Sequence, residues 1–148
     1  MRYVLVLVTT LALLTGCSSA IEGQPTAAPV TDEWRNAVLG AVAQLGNAMG
    51  PIASAMAPTN YPALRKSCGD LRTSLDTMQH QVLPGPDNNV NEALRDGIEG
   101  FRSMADQCVA LTPDSSPTAL LKLSTTIDRA DKRMKDALAL LGVKIPRR

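Results

Sequence analysis

The three cysteines are the residues of this chain whose positions say most about chemistry. Cys17, Cys68 and Cys108 stand too far apart for the C-x-x-C pattern of zinc or redox sites. Cys17 directly follows a run of apolar and small residues, whereas the other two cysteines lie within amphipathic segments. The pattern indicates one role for Cys17 and a separate, shared role for Cys68 and Cys108.

Residues 1–16 have the features of an export signal. Arg2 is their only charged residue, and residues 3–14 are apolar apart from two threonines. Such a run is too short to cross a bilayer as a mature helix and is typical of a secretory signal peptide. The sequence therefore predicts that this segment directs export and is removed.

The four residues Leu14-Thr15-Gly16-Cys17 resemble the lipobox of bacterial lipoproteins. This resemblance implies that a diacylglycerol is attached to the sulfur of Cys17 and that the chain is cut before it, with the new amino group often acylated. The mature protein then begins at Cys17 and is held on the extracytoplasmic side of the cell membrane by its acyl chains. The alternative is an ordinary secretory signal that is cut nearby and leaves Cys17 as a free thiol.

The charges and the aromatic residues argue against a nucleic-acid partner. The whole chain has 15 basic and 14 acidic side chains, and the loss of Arg2 with the signal leaves equal numbers of each. Beyond the signal only Trp34, Tyr61 and Phe101 are aromatic, so bases find no series of stacking platforms. The expected partners are the lipid bilayer, reached through acylated Cys17, and an envelope protein.

The mature chain divides into a linker and one domain. Residues 17–30 hold the lipidation site, followed by Gly, Pro and small or polar residues without a hydrophobic period. This composition is typical of a flexible tether. Residues 31–148 are long enough for one domain with a hydrophobic core and not for two.

Apolar residues recur at intervals of three and four in four segments of the domain, which predicts amphipathic helices. The first helix begins at a cap on Thr31 or Asp32, and Gly50-Pro51 should break or kink it. The second begins near Pro62 and ends near Leu83. The residues predicted to face the core from these two helices are Trp34, Val38, Ala41, Val42, Leu45, Met49, Ile52, Leu64, Cys68, Leu71, Leu75, Met78 and Val82.

Turns that contain proline separate the other two helices. Pro84-Gly85-Pro86 cannot continue a helix, and a polar residue within 87–89 can cap the third one. Ser116 and Pro117 suit the cap and first position of the fourth helix, which should stop at Gly142. The residues predicted to face the core here are Val90, Leu94, Ile98, Phe101, Ala105, Cys108, Leu111, Leu120, Leu123, Ile127, Ala130, Met134, Ala137, Leu138 and Leu141.

Four amphipathic helices joined by short turns predict an all-α fold, an up-down-up-down four-helix bundle. Cys68 and Cys108 lie on the inward faces of the second and third helices, and their midpoint falls at the turn between them. The register of an antiparallel hairpin therefore brings the two cysteines level. Because an exported compartment permits oxidation, we predict a Cys68–Cys108 disulfide.

The remaining polar residues offer no candidate for catalysis. The single histidine, His80, lies off the apolar face near the end of its helix, where an imidazolium complements the helix dipole. Asp76, four residues earlier, is in reach of a pair with it. No paired carboxylates are evident, and the methionines lie on or beside apolar faces, where they fill the core. We expect no enzyme activity, no cofactor and no metal site.

Gly46-x-x-x-Gly50 in the first helix leaves two interpretations open. One is a close-contact face for another helix, and the other is close packing within the domain without any partner. Neither glycine favours the helix itself, because each costs about 1 kcal/mol relative to alanine in a helix interior.

The chain as a whole resembles the small Ala-rich helical lipoproteins of actinobacteria, with a cysteine on each arm of a helical hairpin. That resemblance implies no defined activity. We expect a non-catalytic interaction or structural module of the cell envelope, and the alternative is a carrier of a small apolar ligand such as haem or lipid. A large apolar cavity would favour the carrier, whereas an exposed apolar groove would favour a protein partner.

Overall fold

The computed structural model describes residues 29–56 and 60–144. These residues form four α-helices, and the described part of the chain contains no strand. The helices are α1 (Asp32–Met56), α2 (Tyr61–Val82), α3 (Asn88–Val109) and α4 (Pro117–Leu140). The predicted all-α four-helix bundle is confirmed for these residues, whereas the predicted signal peptide and most of the predicted linker lie outside them.

A polar side chain caps the start of each helix. The caps are Thr31, Asn60, Asp87 and Ser116, and each accepts a hydrogen bond from an amide in the first turn of the helix that follows. These amides have no partner within the helix, so the side chains satisfy them. After α4 the chain turns at Gly142, whose φ of 76° is easily reached by glycine.

Of the break or kink expected at Gly50-Pro51, the break does not occur in α1. The helix continues through Pro51 to Met56. A proline inside a helix removes a backbone hydrogen bond and costs about 3 kcal/mol. Ile52 and Ala55 lie beyond the proline and are buried in the core, and their burial offsets this cost.

The core is one cluster of apolar side chains to which all four helices contribute. Close backbone packing joins α1 to α2, α2 to α3 and α3 to α4, as expected when successive helices run in opposite directions. The largest fully buried side chains include Leu71 and Leu75 of α2 and Leu94, Ile98 and Met104 of α3. The two central helices therefore form the middle of the bundle.

α3 and α4 approach each other closely at two glycines of α3. A Cβ added at Gly100 would lie 2.8 Å from the Cβ of Ala130, and one added at Gly97 would lie 3.3 Å from the backbone nitrogen of Met134. Within the described residues, by contrast, α1 and α4 are not packed backbone to backbone. The fourth side of the bundle is therefore more open than the other three.

The turn between α2 and α3 is held by Asn91, a buried polar residue of α3. Its side chain accepts a hydrogen bond from the amide of Gly85 at 2.7 Å and donates one to the carbonyl of Gly85 at 2.8 Å. Both polar groups of this turn residue are thereby satisfied, which fixes the path of the chain from α2 into α3.

Candidate functional site

A disulfide joins Cys68 of α2 to Cys108 of α3, which confirms the predicted pairing. The Cα atoms are 6.2 Å apart, and both side chains are completely buried. The two cysteines therefore link the central helices and are not free to act as nucleophiles or metal ligands. Cys17, the predicted lipidation site, lies outside the described residues.

His80 is exposed in the last turn of α2 and forms no pair with Asp76. Asp76 instead lies 2.6 Å from a guanidinium nitrogen of Arg102 on α3. A second guanidinium nitrogen of Arg102 donates to the side-chain oxygen of Gln79 at 2.6 Å. In the described part of the chain, no group of three His, Cys, Asp or Glu side chains is arranged to hold a metal ion.

A charged depression of about 640 Å³ lies between α3 and α4. Its charged lining residues are Asp96, Glu99 and Asp106 of α3 and Lys122, Arg129 and Arg133 of α4. Arg133 lies 3.7 Å from Asp96, and both side chains are about half exposed. Solvated pairs of this kind contribute about 0–1 kcal/mol. The depression mixes both signs of charge, so it does not favour one kind of ion.

An apolar cleft between α1 and α4 is the feature of the molecule best suited to binding. It has a volume of about 210 Å³ and opens to solvent. The cleft is lined by Val42, Leu45, Gly46 and Met49 of α1, Phe101 of α3, and Ile127, Asp131 and Met134 of α4. Asp131 is the only charged lining residue among those described, and it forms an ion pair with Lys135. The cleft therefore presents an almost uncharged apolar surface.

Gly46 leaves the mouth of this cleft open. A Cβ added at Gly46 would find no neighbouring element of the described structure within 4 Å, and the same is true of Gly50. No described element packs against either glycine, which argues against the hypothesis that they serve close packing within the domain. The alternative, a contact face for another helix, stays a prediction.

The outer face of α1 beside the cleft carries no charge. Residues 36–56 contain no Asp, Glu, Lys, Arg or His. A second set of positions three and four residues apart runs beside the core face, and we call it the outer stripe: Leu39, Val42, Ala43, Gly46, Met49, Gly50 and Ala53. Each of its residues is exposed or half-buried. The spacing of the core residues in the sequence does not reveal this stripe. The long run of residues without charge does indicate it.

Leu120 was predicted to face the core and is instead exposed, with 45% of its surface accessible. Ile127, two turns later on the same face of α4, is only half-buried. Ile127 lines the cleft on the side of the bundle where α1 and α4 are not packed backbone to backbone. Leu120 is therefore exposed for the same reason that the cleft exists, which is that α1 does not pack closely on α4.

None of the described helices is both long enough and apolar enough to cross a membrane. Comparisons of the chain with protein-family models, with curated proteins and with solved structures found no match.

Proposed function

We propose that the mature chain is a lipoprotein held on the extracytoplasmic side of the cell membrane through acylated Cys17. Its helical domain then acts as a non-catalytic docking module of the cell envelope. The lipobox resemblance of residues 14–17 supports the anchor. The disulfide between Cys68 and Cys108 supports export, because such bonds persist mainly in oxidising compartments.

The observation that carries the docking proposal is the apolar, almost uncharged surface shared by α1 and α4. The centres of protein interfaces are depleted of charged residues, and residues 36–56 of α1 contain none. The exposed sides of other helices differ, since α2 carries the Lys66–Asp70 ion pair and α4 the Lys132–Asp136 pair. A solvent-facing stretch of helix without charge beside an apolar cleft is suited to contact with another protein.

A carrier of haem or another small apolar ligand is less well supported. Pockets for such ligands typically have volumes of about 300–1,000 Å³ and bury most of the ligand. The cleft between α1 and α4 measures about 210 Å³ and opens to solvent. Its size suits a side chain inserted by a protein partner rather than a whole cofactor.

A photo-activated cross-linking amino acid at Met49 tests the docking surface in intact cells. Met49 lines the cleft, whereas Gly40 is exposed on the same helix outside it and serves as the control position. We expect a protein adduct from the probe at Met49 and none from the probe at Gly40. Equal adducts at the two positions, no adduct at all, or an adduct that contains only lipid would contradict the proposal.

The mass of the intact chain extracted from membranes tests the anchor separately. We expect a chain that begins at Cys17 and carries a diacylglycerol, with or without a further acyl group. The Cys17→Ser variant should remain as an uncut precursor or appear as a soluble form. An unmodified amino terminus at any position after residue 17 would rule out the anchor.

A further inference from the structure

The outer stripe of α1 and the cleft between α1 and α4 together form one surface, which we call the α1–α4 face. Given the docking function proposed above, the sizes of the residues around Gly46 indicate what covers this face. Three pairs of outer-stripe residues stand at equal distances on either side of Gly46. These pairs are Val42 with Gly50, Ala43 with Met49, and Leu39 with Ala53. In each pair one residue is large and the other is small.

A second copy of α1 packed antiparallel on the first would match this pattern of large and small residues. A two-fold axis at Gly46 sets Val42 of each copy against Gly50 of the other, and Met49 against Ala43. Each large side chain then meets a small one, which is the complementarity that close helix packing requires. A parallel copy would instead set every residue against its own equivalent, large against large.

The lack of charge on α1 fits the same arrangement. In a two-fold contact the same patch of both chains meets itself, so a charge near the axis faces its own equivalent. Like charges placed together in this way disfavour association. Residues 36–56 of α1 contain no charge, so a contact centred on Gly46 brings no like charges together along this stretch.

The geometry of α1 also leaves room for the second helix. Among the described residues, no neighbouring element lies within 4 Å of a Cβ added at Gly46 or Gly50, and both glycines are exposed. Val42 and Met49 belong both to the outer stripe and to the lining of the cleft. A helix that lies on the outer stripe therefore also covers the mouth of the cleft.

We infer that a second copy of this chain occupies the α1–α4 face. The two chains associate through an antiparallel contact between their α1 helices, centred on Gly46. The docking module therefore works as a homodimer on the membrane.

Cysteine cross-linking of the full chain in isolated membranes tests this arrangement. Gly46→Cys lies at the axis and should give a disulfide-linked dimer on mild oxidation, whereas the wild type and Gly40→Cys should not. Two copies of Gly50→Cys should not link, because they stand about 12 Å apart along the helix axis. Gly50→Cys expressed together with Val42→Cys should give the mixed dimer.

Equal linking by Gly46→Cys and Gly40→Cys, or a linked dimer of Gly50→Cys alone, would overturn the antiparallel contact.

The mass of the purified full chain in detergent gives a second readout. We expect the wild type and Gly40→Leu each to have the mass of two chains. The dimer fraction of Gly46→Leu should fall about tenfold or more, because a side chain at the axis holds the helices apart. A wild type that stays a single chain at every concentration overturns the second-copy inference.

The cross-linking probe at Met49 separates this inference from the docking function on which it rests. An adduct with the mass of two copies of the chain supports both. A single-chain wild type whose Met49 probe links to a different protein leaves the docking function standing and overturns the homodimer. A single-chain wild type without any protein adduct overturns both.

Discussion

The indole nitrogen of Trp34 donates a hydrogen bond to the backbone carbonyl of Val82 over a distance of 2.9 Å. Val82 is the last residue of α2, where backbone carbonyls have no partner within the helix. The ring of Trp34 also covers Gly85, where an added Cβ would lie only 2.0 Å from a ring carbon. Trp34, at the start of α1, therefore supplies a hydrogen-bond donor to a backbone carbonyl at the end of α2. Its ring also leaves room only for glycine at position 85.

Trp34→Phe should lower the free energy of unfolding by about 1–2 kcal/mol, because it keeps an aromatic ring but leaves the Val82 carbonyl without its donor. Urea unfolding followed by circular dichroism measures the change. His80→Ala, an exposed substitution near the same end of α2, is the control and should stay within about 0.5 kcal/mol of the wild type. Equal stability of Trp34→Phe and the wild type would mean that the hydrogen bond contributes nothing.

Gly100→Ala and Gly69→Ala should change stability in opposite directions. Both glycines lie inside helices, where alanine is favoured by about 0.5–1 kcal/mol. An added Cβ finds no neighbour within 4 Å at Gly69 but lies 3.2 Å from the Cα of Ala130 at Gly100. We expect Gly69→Ala to stabilise the domain and Gly100→Ala to destabilise it by about 1–2 kcal/mol, because α3 and α4 must move apart. Thermal unfolding in which Gly100→Ala matched Gly69→Ala would contradict this packing.

Reduction of the Cys68–Cys108 disulfide should lower the stability of the domain substantially. The cysteines are separated by 40 residues, and closing a loop of that size stabilises by roughly 4 kcal/mol in the chain-entropy model. A reducing agent should therefore shift the urea midpoint of the wild type. The urea midpoint of the double variant Cys68→Ala, Cys108→Ala should not change when the reducing agent is added. An identical midpoint for the oxidised and reduced wild type would refute the contribution of this bond.

Much of the fold can be predicted from the sequence, because the signals involved act over short distances along the chain. Ser116 and Pro117 begin α4 and Gly142 follows its end, since caps and turns depend on a few neighbouring residues. The pairing of Cys68 with Cys108 follows from the same local reasoning. Both lie on the inward faces of two helices that one short turn joins, so the hairpin brings them together.

Leu120 and the candidate site depend instead on how far apart two distant helices lie. The helical period places Leu120 on the same face as Ile127 but does not say whether another helix covers that face. Gly97 and Gly100 bring α4 close to α3, and α1 is left without close backbone packing on α4. The uncharged run of residues 36–56 becomes informative only once α1 is seen at the edge of this opening.

Gly46→Leu separates a docking role of the α1–α4 face from a role in stability. In the described part of the chain, no neighbouring element lies within 4 Å of a Cβ added at Gly46 or at the control position Gly40. Replacing either exposed helical glycine with leucine should therefore raise the free energy of unfolding of the single chain, by up to about 1 kcal/mol. Only Gly46 lines the cleft, so only Gly46→Leu should affect binding.

The yield of the photo-adduct formed by a probe at Met49 in the Gly46→Leu chain tests the docking proposal most directly. We predict that the yield falls about tenfold or more, because the new side chain blocks the mouth of the cleft. The Gly40→Leu chain should keep the wild-type yield. A Gly46→Leu chain that is at least as stable as the wild type and still forms the adduct in wild-type yield would contradict the claim that the α1–α4 face docks a partner.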